Sequence, residues 1–201
     1  MKISISTNFP EVQRKLDRLA RDVSNTVTTR AMNATIAQAK TAMSKEIRTE
    51  FNVSAAFVRD RLKIKRAFFR GGALSLVAEL SAPEGQKGDR GINLIRFGAK
   101  KNNKGVSVKI KKVGARKTVG AAFIGNKGRT VFQRIPGSIM RSRAKSLGKQ
   151  HRERIKPLST INVPGMFNTR RINAAVVAAM EARFPAIFER EMAWALQRFG
   201  R

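Results

Sequence analysis

The 201-residue sequence has no cysteine, no tyrosine and a single histidine, His151. Without cysteine the chain cannot form a disulfide framework, a thiolate metal site or a cysteine nucleophile, and one histidine excludes the usual multi-histidine metal clusters. No run approaches the roughly 18 apolar residues of a transmembrane helix, and the first residues lack the apolar core of a signal peptide. We therefore expect a protein that is made and kept in a cytoplasm-like compartment, with no membrane partner.

Acidic residues are scarce. The chain has 13 Asp and Glu against 42 Lys and Arg, which gives a formal net charge of +29, whereas a small domain usually carries a charge of magnitude about 2–8. A hydrophobic content of 42% argues against wholesale disorder, because disordered chains combine high charge with low hydrophobicity. The sequence therefore predicts a folded protein whose surface attracts polyanions and repels its own copies.

The positive charge is concentrated in one part of the chain. No acid occurs between Asp89 and Glu153, and that interval contains 18 Lys and Arg. A single lysine on an edge strand or loop is most simply explained as protection against sheet aggregation, but for eighteen cations without one acid we favour contact with a polyanion or an acidic protein surface. The residues predicted to make this contact are Lys100, Lys101, Lys104, Lys109, Lys111, Lys112, Arg116, Lys117, Lys127, Arg129, Arg141, Arg143 and Lys145.

Residues 106–112 illustrate the expected arrangement, because apolar and basic side chains alternate along them. In a strand this pattern directs the apolar residues into the core and Lys109 and Lys111 to the opposite face. Base-reading motifs are absent, so the predicted contact is with backbone charge. Phe68, Phe69 and Phe132 could stack on bases, but phenylalanine within strands is more often part of a core.

No catalytic constellation is present in the sequence. His151 lies in a basic segment, where a solvated histidine is the simpler interpretation. Glu84 and Asp89 lie in a glycine-rich loop, whereas magnesium nucleases gather several carboxylates around the metal. Residues 85–88 (GQKG) lack the Gly-Lys-Ser/Thr ending of a phosphate-binding loop. We expect a protein that is not an enzyme and that has no metal and no cofactor.

Helical periodicity dominates both ends of the chain, over 8–62 and 168–199. The first region is predicted to form either one long helix with a rotating apolar face or two helices meeting near Thr26. In the second region Pro185 predicts a kink or a split near Phe184. The side chains predicted to pack these helices are Leu16, Leu19, Val23, Ile36, Met43 and Ile47 in the first region, and Ile172, Val176, Met180 and Phe188 in the second.

The central part, residues 63–136, changes to short runs with period two, separated by Gly and Asn. This pattern predicts an antiparallel β-meander, with strands at 68–70, 73–80, 92–97, 106–110, 119–124 and 129–135. Residues 137–167 are interpreted as a basic arm and linker. The predicted fold is a single α+β domain over 1–201, in which the long N-terminal and C-terminal helices pack on a central meander with basic loops.

Three groups of short motifs occur in a fixed order along the chain. The first group is 30–35 (RAMNAT) with 39–41, 47–48 and 51–53. The second is the basic strand region with 123–125 (FIG) and Phe132. The third is 154–158 (RIKPL) with 163–167 (VPGMF) before the final helix. Together they resemble the prophage minor tail protein Z family, the tail-completion proteins of phages with long flexible tails. The resemblance covers most of the chain and brings no catalytic motif with it.

The resemblance implies a structural protein of the virion that acts late in tail assembly, at the head-proximal end of the tail. It also implies a ring of copies around the DNA path, other tail and neck proteins as partners, and assembly in the host bacterial cytoplasm. A second hypothesis is a stand-alone basic nucleic-acid-binding protein. The two differ because a tail component should co-purify with tail tubes, whereas a stand-alone binder should hold nucleic acid as a discrete monomer or dimer.

Overall fold

Helices form where the sequence repeats apolar residues every three or four positions. In the computed structural model, helices α1 to α4 span Arg21–Glu50, Ala55–Arg61, Val163–Phe167 and Arg170–Phe199. Antiparallel strands occupy much of the sequence between them. The predicted α+β class, with one long helix near each end of the chain, is confirmed.

The structure describes residues 2–5, 21–70, 73–83, 91–139 and 153–199. Within the chain there are two compact units: unit 1 comprises Met1–Ile47, Ala55–Gln86 and Val163–Arg201, and unit 2 comprises Arg48–Ser54 and Lys87–Asn162. The sequence predicts a single unit. The predicted functional or packing residues outside the described part are Leu16, Leu19, Glu84, Asp89, Arg141, Arg143, Lys145 and His151.

Helix α1 is continuous through the seam near Thr26, so the two-helix alternative is wrong at that point. The polar residues of the seam are compatible with a helix because their hydroxyls bond within it. Thr26 Oγ1 donates to the carbonyl oxygen of Asp22 at 2.8 Å, and Thr28 Oγ1 donates to that of Ser24 at 2.9 Å. The predicted rotating apolar face is therefore carried by one helix.

Seven of the eight predicted packing residues in the described part of the chain are buried in unit 1. Val23 is half-buried, and the others in the described part are at most 7% exposed: Ile36, Met43, Ile47, Ile172, Val176, Met180 and Phe188. Two polar contacts show that α1 and α4 run side by side in opposite directions, because Arg30 meets Glu191 and Gln38 meets Arg183. These helices supply most of the core of unit 1.

Pro185 does not divide α4, which continues from Arg170 to Phe199, so the two-helix alternative is wrong here as well. Pro185 lies on the exposed side of the helix, and Glu181, whose carbonyl loses its amide partner, is also exposed. Water can therefore reach the carbonyl. Phe184 and Phe188, which flank the proline in sequence, are both buried, so the helix contributes to the core on either side of Pro185.

Unit 1 also contains five short strands, β1 to β5, at Lys2–Ile5, Lys63–Lys65, Phe68–Arg70, Ala73–Ser75 and Ala78–Ser81. They form a three-stranded sheet in the order β1-β5-β2 and a separate β3-β4 hairpin. Asn33 of α1 bonds the segment between β2 and β3, with both its amide nitrogen and oxygen 2.9 Å from the backbone of Ala67.

Unit 2 contains strands β6 to β13 at Ile92–Asn93, Lys100–Asn102, Gly105–Val108, Lys117–Gly120, Ala122–Gly125, Thr130–Ile139, Glu153–Pro157 and Ser159–Thr160. They form the antiparallel sheets β7-β8-β9 and β10-β11-β12 and the pair β13-β6. The strands predicted over 63–136 are thus divided among five small sheets in the two units, each antiparallel, instead of one continuous meander.

Two sequence predictions about residues 92–167 are corrected. Residues 94–97 form a short 3-10 helix, because the side chain of Asn93 accepts a bond from the backbone nitrogen of Ile95 and caps it. The predicted linker contains strands β12 and β13 and helix α3. Its basic character hid β12, which pairs with β11 in the register Phe132 to Pro157.

The core of unit 2 is formed by Leu94, Val106, Val108, Ala122 and Val131, each at most 6% exposed. Its hairpins require glycine at a close approach: Gly105 has a φ of +140°, and a Cβ there would lie 2.2 Å from the carbonyl oxygen of Val119.

Among the described helices, none combines the length and the hydropathy that crossing a membrane requires.

Candidate polyanion interface

The described residues of unit 2 contain fifteen Lys and Arg but only two acids, Glu50 and Glu153. The basic residues are Arg48, Arg96, Lys100, Lys101, Lys104, Lys109, Lys111, Lys112, Arg116, Lys117, Lys127, Arg129, Arg134, Arg154 and Lys156. Ten of the thirteen predicted polyanion-contacting residues are therefore described, and all ten lie in unit 2. The fold brings them into one compact body.

The β7-β8-β9 sheet displays lysines from its two edge strands. Lys101 lies opposite Val106, and Lys117 opposite Val108, in the ladder. Residues directly paired across strands share a face, so these two lysines flank the buried valines at the sheet edges and remain exposed. Lys100 pairs with Ser107 and is exposed on the other, polar face.

Turns carry three more cations. Lys104 is exposed in the turn between β7 and β8, where its backbone nitrogen donates to Oδ1 of Asn102 at 3.1 Å. Lys127 and Arg129 are exposed in the β10-β11 hairpin, in which Asn126 and Lys127 both adopt positive φ. These charged groups are thus placed by tight, hydrogen-bonded turns.

The strand predicted over 106–110 ends at Val108, so Lys109 and Lys111 do not share its solvent face as expected. The chain leaves the sheet there because its backbone bonds elsewhere: Lys109 donates to Phe97, and Lys112 to Glu50. Lys109 is half-buried. Lys111 Nζ lies 3.5 Å from Oε1 of Glu50, so part of its charge is already compensated within unit 2.

Arg116 is also engaged within the protein. Its Nη2 donates to the carbonyl oxygens of Gly98 and of Ser107, and its Nε to Oγ of Ser107. It therefore ties the segment before β9 to β8 and to the end of the 3-10 helix. We interpret Arg116 as a structural residue, with only its remaining donors available to a ligand.

Leaving aside Lys111 and the internally bonded Arg116, eight described contact residues have no ion pair to any carboxylate in the described part of the chain. They are Lys100, Lys101, Lys104, Lys109, Lys112, Lys117, Lys127 and Arg129, and all except Lys109 are exposed. Unpaired cations on one compact body produce a positive field that attracts anions. This surface is suited to contacts with phosphates or carboxylates that require no particular sequence.

Arg134 is not among the residues that the sequence predicts to contact a polyanion. Its guanidinium lies 5.4 Å from the ring centroid of Phe123. The position that the sequence predicts for Phe132 also differs from the structure. Phe132 was expected in the core, but Val131 beside it is fully buried, so Phe132 points to the opposite face of β11 and is only partly buried. The alternation of Val131 with Phe132 was the available signal.

Unit 1 contains a different kind of charged group, a cluster around Glu191 on α4. Nε of Arg30 donates to Oε2 of Glu191 at 2.7 Å, Arg190 donates to Oε1 at 2.9 Å, and the Arg30 guanidinium lies 3.9 Å from the ring centroid of Trp194. Burial raises the pKa of Glu191, but hydrogen bonds and charges from Arg30 and Arg190 outweigh it and hold the pKa below its ordinary value. This cluster joins two helices.

In the described part of the chain, no three His, Cys, Asp or Glu side chains come together to hold a metal ion. Comparison of the sequence and the structure with family models, curated proteins and solved structures gives no match. The function must therefore be inferred from the residues themselves.

Proposed function

We propose that this protein is a non-enzymatic structural component of a phage virion, a minor tail or tail-completion protein at the head-proximal end of the tail. In this proposal it packs as a ring subunit beside other tail and neck proteins and contacts DNA or acidic partner surfaces non-specifically. The observation that carries the proposal is the set of eight exposed or half-buried contact residues of unit 2 defined above, which have no carboxylate partner in the described part of the chain.

The electrostatics support a structural role that requires partners. A chain with a formal charge of +29 repels other copies of itself, so a ring of such chains needs anionic company to assemble. Genomic DNA or acidic neck proteins supply that charge. Binding through phosphates carries no sequence information, which suits a protein that must accept any DNA passing through it.

Unit 1 supports the packing part of the proposal. Its long helix α4 buries one face and leaves Val177 and Leu196 exposed at 37% and 50%. The described cations of this unit are accompanied by more acids than those of unit 2. A helical surface with less uncompensated charge is the better candidate for contact with a neighbouring subunit, because it faces less repulsion.

Imaging of intact particles by cryo-electron microscopy tests the proposal. The expected result is a ring of this protein at the head-proximal end of the tail, with residues of unit 2 within a few ångströms of DNA or of carboxylate-rich neighbours. A density located elsewhere, or a ring whose unit 2 faces only bulk solvent, would contradict it. The second hypothesis, a stand-alone nucleic-acid-binding protein, predicts discrete complexes that do not sediment with tail tubes.

A further inference from the structure

The β10-β11-β12 sheet has an outward face on which two aromatic rings lie beside an arginine. Phe123 pairs with Phe132, and Phe132 pairs with Pro157, in one row across all three strands. In the next row Arg134 pairs with Ile155, which is 44% exposed. The opposite face contains the buried Ala122 and Val131, so this aromatic row lies outside the core of unit 2.

The two rings form an organised pair. Their centroids are 5.9 Å apart with an interplanar angle of 28°, and the guanidinium of Arg134 lies 5.4 Å from the Phe123 centroid. Gly125 belongs to this arrangement, because a Cβ at that position would approach the Phe132 ring to 3.1 Å. Both phenylalanines keep part of their surface accessible.

We propose that this face binds unpaired nucleotides of a single-stranded nucleic acid, with bases stacking on Phe123 and Phe132 and phosphates contacting Arg134 and the hairpin cations Lys127 and Arg129. The proposal rests on the polyanion contact proposed above and adds a preference for unpaired nucleotides at this one face. Accessible aromatic rings beside cations on a sheet are the two components that single-stranded binding requires, since every base has a π-face and every linkage a charge.

An acidic protein is the weaker alternative. Carboxylates would satisfy the cations, but they would not use the exposed ring surfaces. Nucleotides satisfy both features at once, because each carries a planar base and an anionic phosphate. Duplex DNA presents its phosphates but keeps its bases stacked inside, so it also leaves the two rings unused.

The test compares the affinity of the full chain for short oligo(dT), for duplex DNA and for polyglutamate. Replacing both rings, Phe123→Leu with Phe132→Leu, should weaken oligo(dT) binding at least about fivefold, the lower end of base–aromatic stacking, and leave duplex affinity within about twofold. The matched control is Phe68→Leu, which removes a half-exposed ring in unit 1 and should change neither affinity. Circular dichroism melting checks that each variant folds.

A second measurement uses the unaltered protein and so does not depend on a variant folding. Irradiation with oligo(dT) that contains 5-iododeoxyuridine should crosslink the base to the peptide holding Phe123 or to that holding Phe132. Crosslinks confined to other peptides would overturn the inference, as would a double-leucine variant that folds and binds oligo(dT) as tightly as the parent.

The outcomes separate this inference from the proposed function. If the parent binds duplex DNA or polyglutamate as tightly as oligo(dT), and the leucine variants match it, the stacking inference fails while the polyanion surface stands. If the parent binds none of the three probes at low salt, both fail.

Discussion

The two units carry nearly equal numbers of cations but very different numbers of acids. In the described residues, unit 1 has sixteen Lys and Arg against seven Asp and Glu, whereas unit 2 has fifteen against two. The excess charge of unit 2 therefore arises mainly from missing acids. Cations in unit 1 can be compensated internally, as Arg30 is by Glu191, whereas unit 2 has only two described acids to compensate fifteen cations.

The difference also concerns what the charged groups do. In unit 1 a nearly buried carboxylate joins two long helices through Arg30, so charge contributes to packing. In unit 2 the core is apolar, and many of its cations lie on edge strands, turns and loops. We infer that unit 1 is the scaffold and unit 2 the interaction surface. Breaking the packing of one and the charge of the other should therefore have separable effects.

The largest loss of stability is expected from Val176→Asp in the core of unit 1. Val176 is fully buried, and an unpaired carboxylate there costs several kcal/mol, comparable with the whole stability of a domain. The matched control is Val177→Asp, the same change at the next residue, which is 37% exposed. Urea unfolding followed by Trp194 fluorescence should show a lost or strongly lowered midpoint for the first variant only. Equal midpoints would show that the face assigned to α4 is wrong.

A smaller loss of stability is expected from Glu191→Gln, which removes the negative charge that joins α1 and α4. Gln has no negative charge and keeps only one accepting oxygen, so the bonds from Arg30 and Arg190 should be weakened or lost at a cost of about 1–3 kcal/mol at neutral pH. Glu181→Gln, an exposed carboxylate on the same helix, is the control and should change the urea midpoint little.

The difference in stability between the parent and Glu191→Gln should depend on pH in one direction. Because the pKa of Glu191 is lowered in the folded protein, the folded state binds fewer protons than the unfolded state. The Glu191 carboxylate therefore stabilises the folded state fully above about pH 4.3, the ordinary pKa of glutamate. This contribution is lost as the pH falls through the lower pKa that Glu191 has in the folded protein. The stability gap between parent and Glu191→Gln should shrink in acid. A gap that stays constant down to about pH 3, well below the ordinary glutamate value, would refute the ion-pair assignment.

The smallest effect on stability is expected from Arg116→Gln in unit 2. Arg116 bonds the backbone of Gly98 and Ser107 at an exposed position, so its loss should cost about 1 kcal/mol. Lys117→Gln removes the same charge from the next residue without those bonds and should leave the melting temperature unchanged. If the two variants melt alike, Arg116 is an ordinary surface cation, and the number of cations available to ligands is larger than we infer.

Long helices could be predicted from the sequence because a period of three or four sustained over about thirty residues is a strong signal. Buried positions such as Ile36 and Val176 followed directly from it. The continuity of α4 through Pro185 could not be predicted, since it depends on where the proline faces relative to the core. That orientation is a property of the packed helix.

The strands were harder to predict because most have two to four residues, too few to establish a period. Strand β12, with the sequence ERIKP, has neither an apolar face nor β-branched enrichment beyond Ile155, and only its pairing with β11 makes it a strand. The basic surface was predicted from the missing acids, but the internal bonds of Arg116 and Lys111 were not, because they depend on residues that are distant in sequence coming together.

The central claim, that position and not net charge alone makes the protein bind polyanions, is tested most directly by two matched triple variants. One replaces Lys101, Lys104 and Lys117 of unit 2 by Gln; the other replaces Lys45, Lys63 and Lys65 of unit 1, and all six lysines are exposed. The measurement is the slope of log K for duplex DNA against log salt. We predict that the unit 2 variant has a shallower slope, by about 0.9 for each phosphate that the variant no longer neutralises, and that the unit 1 variant keeps the parent slope. Equal changes in both variants, or no change in the first, would contradict the account.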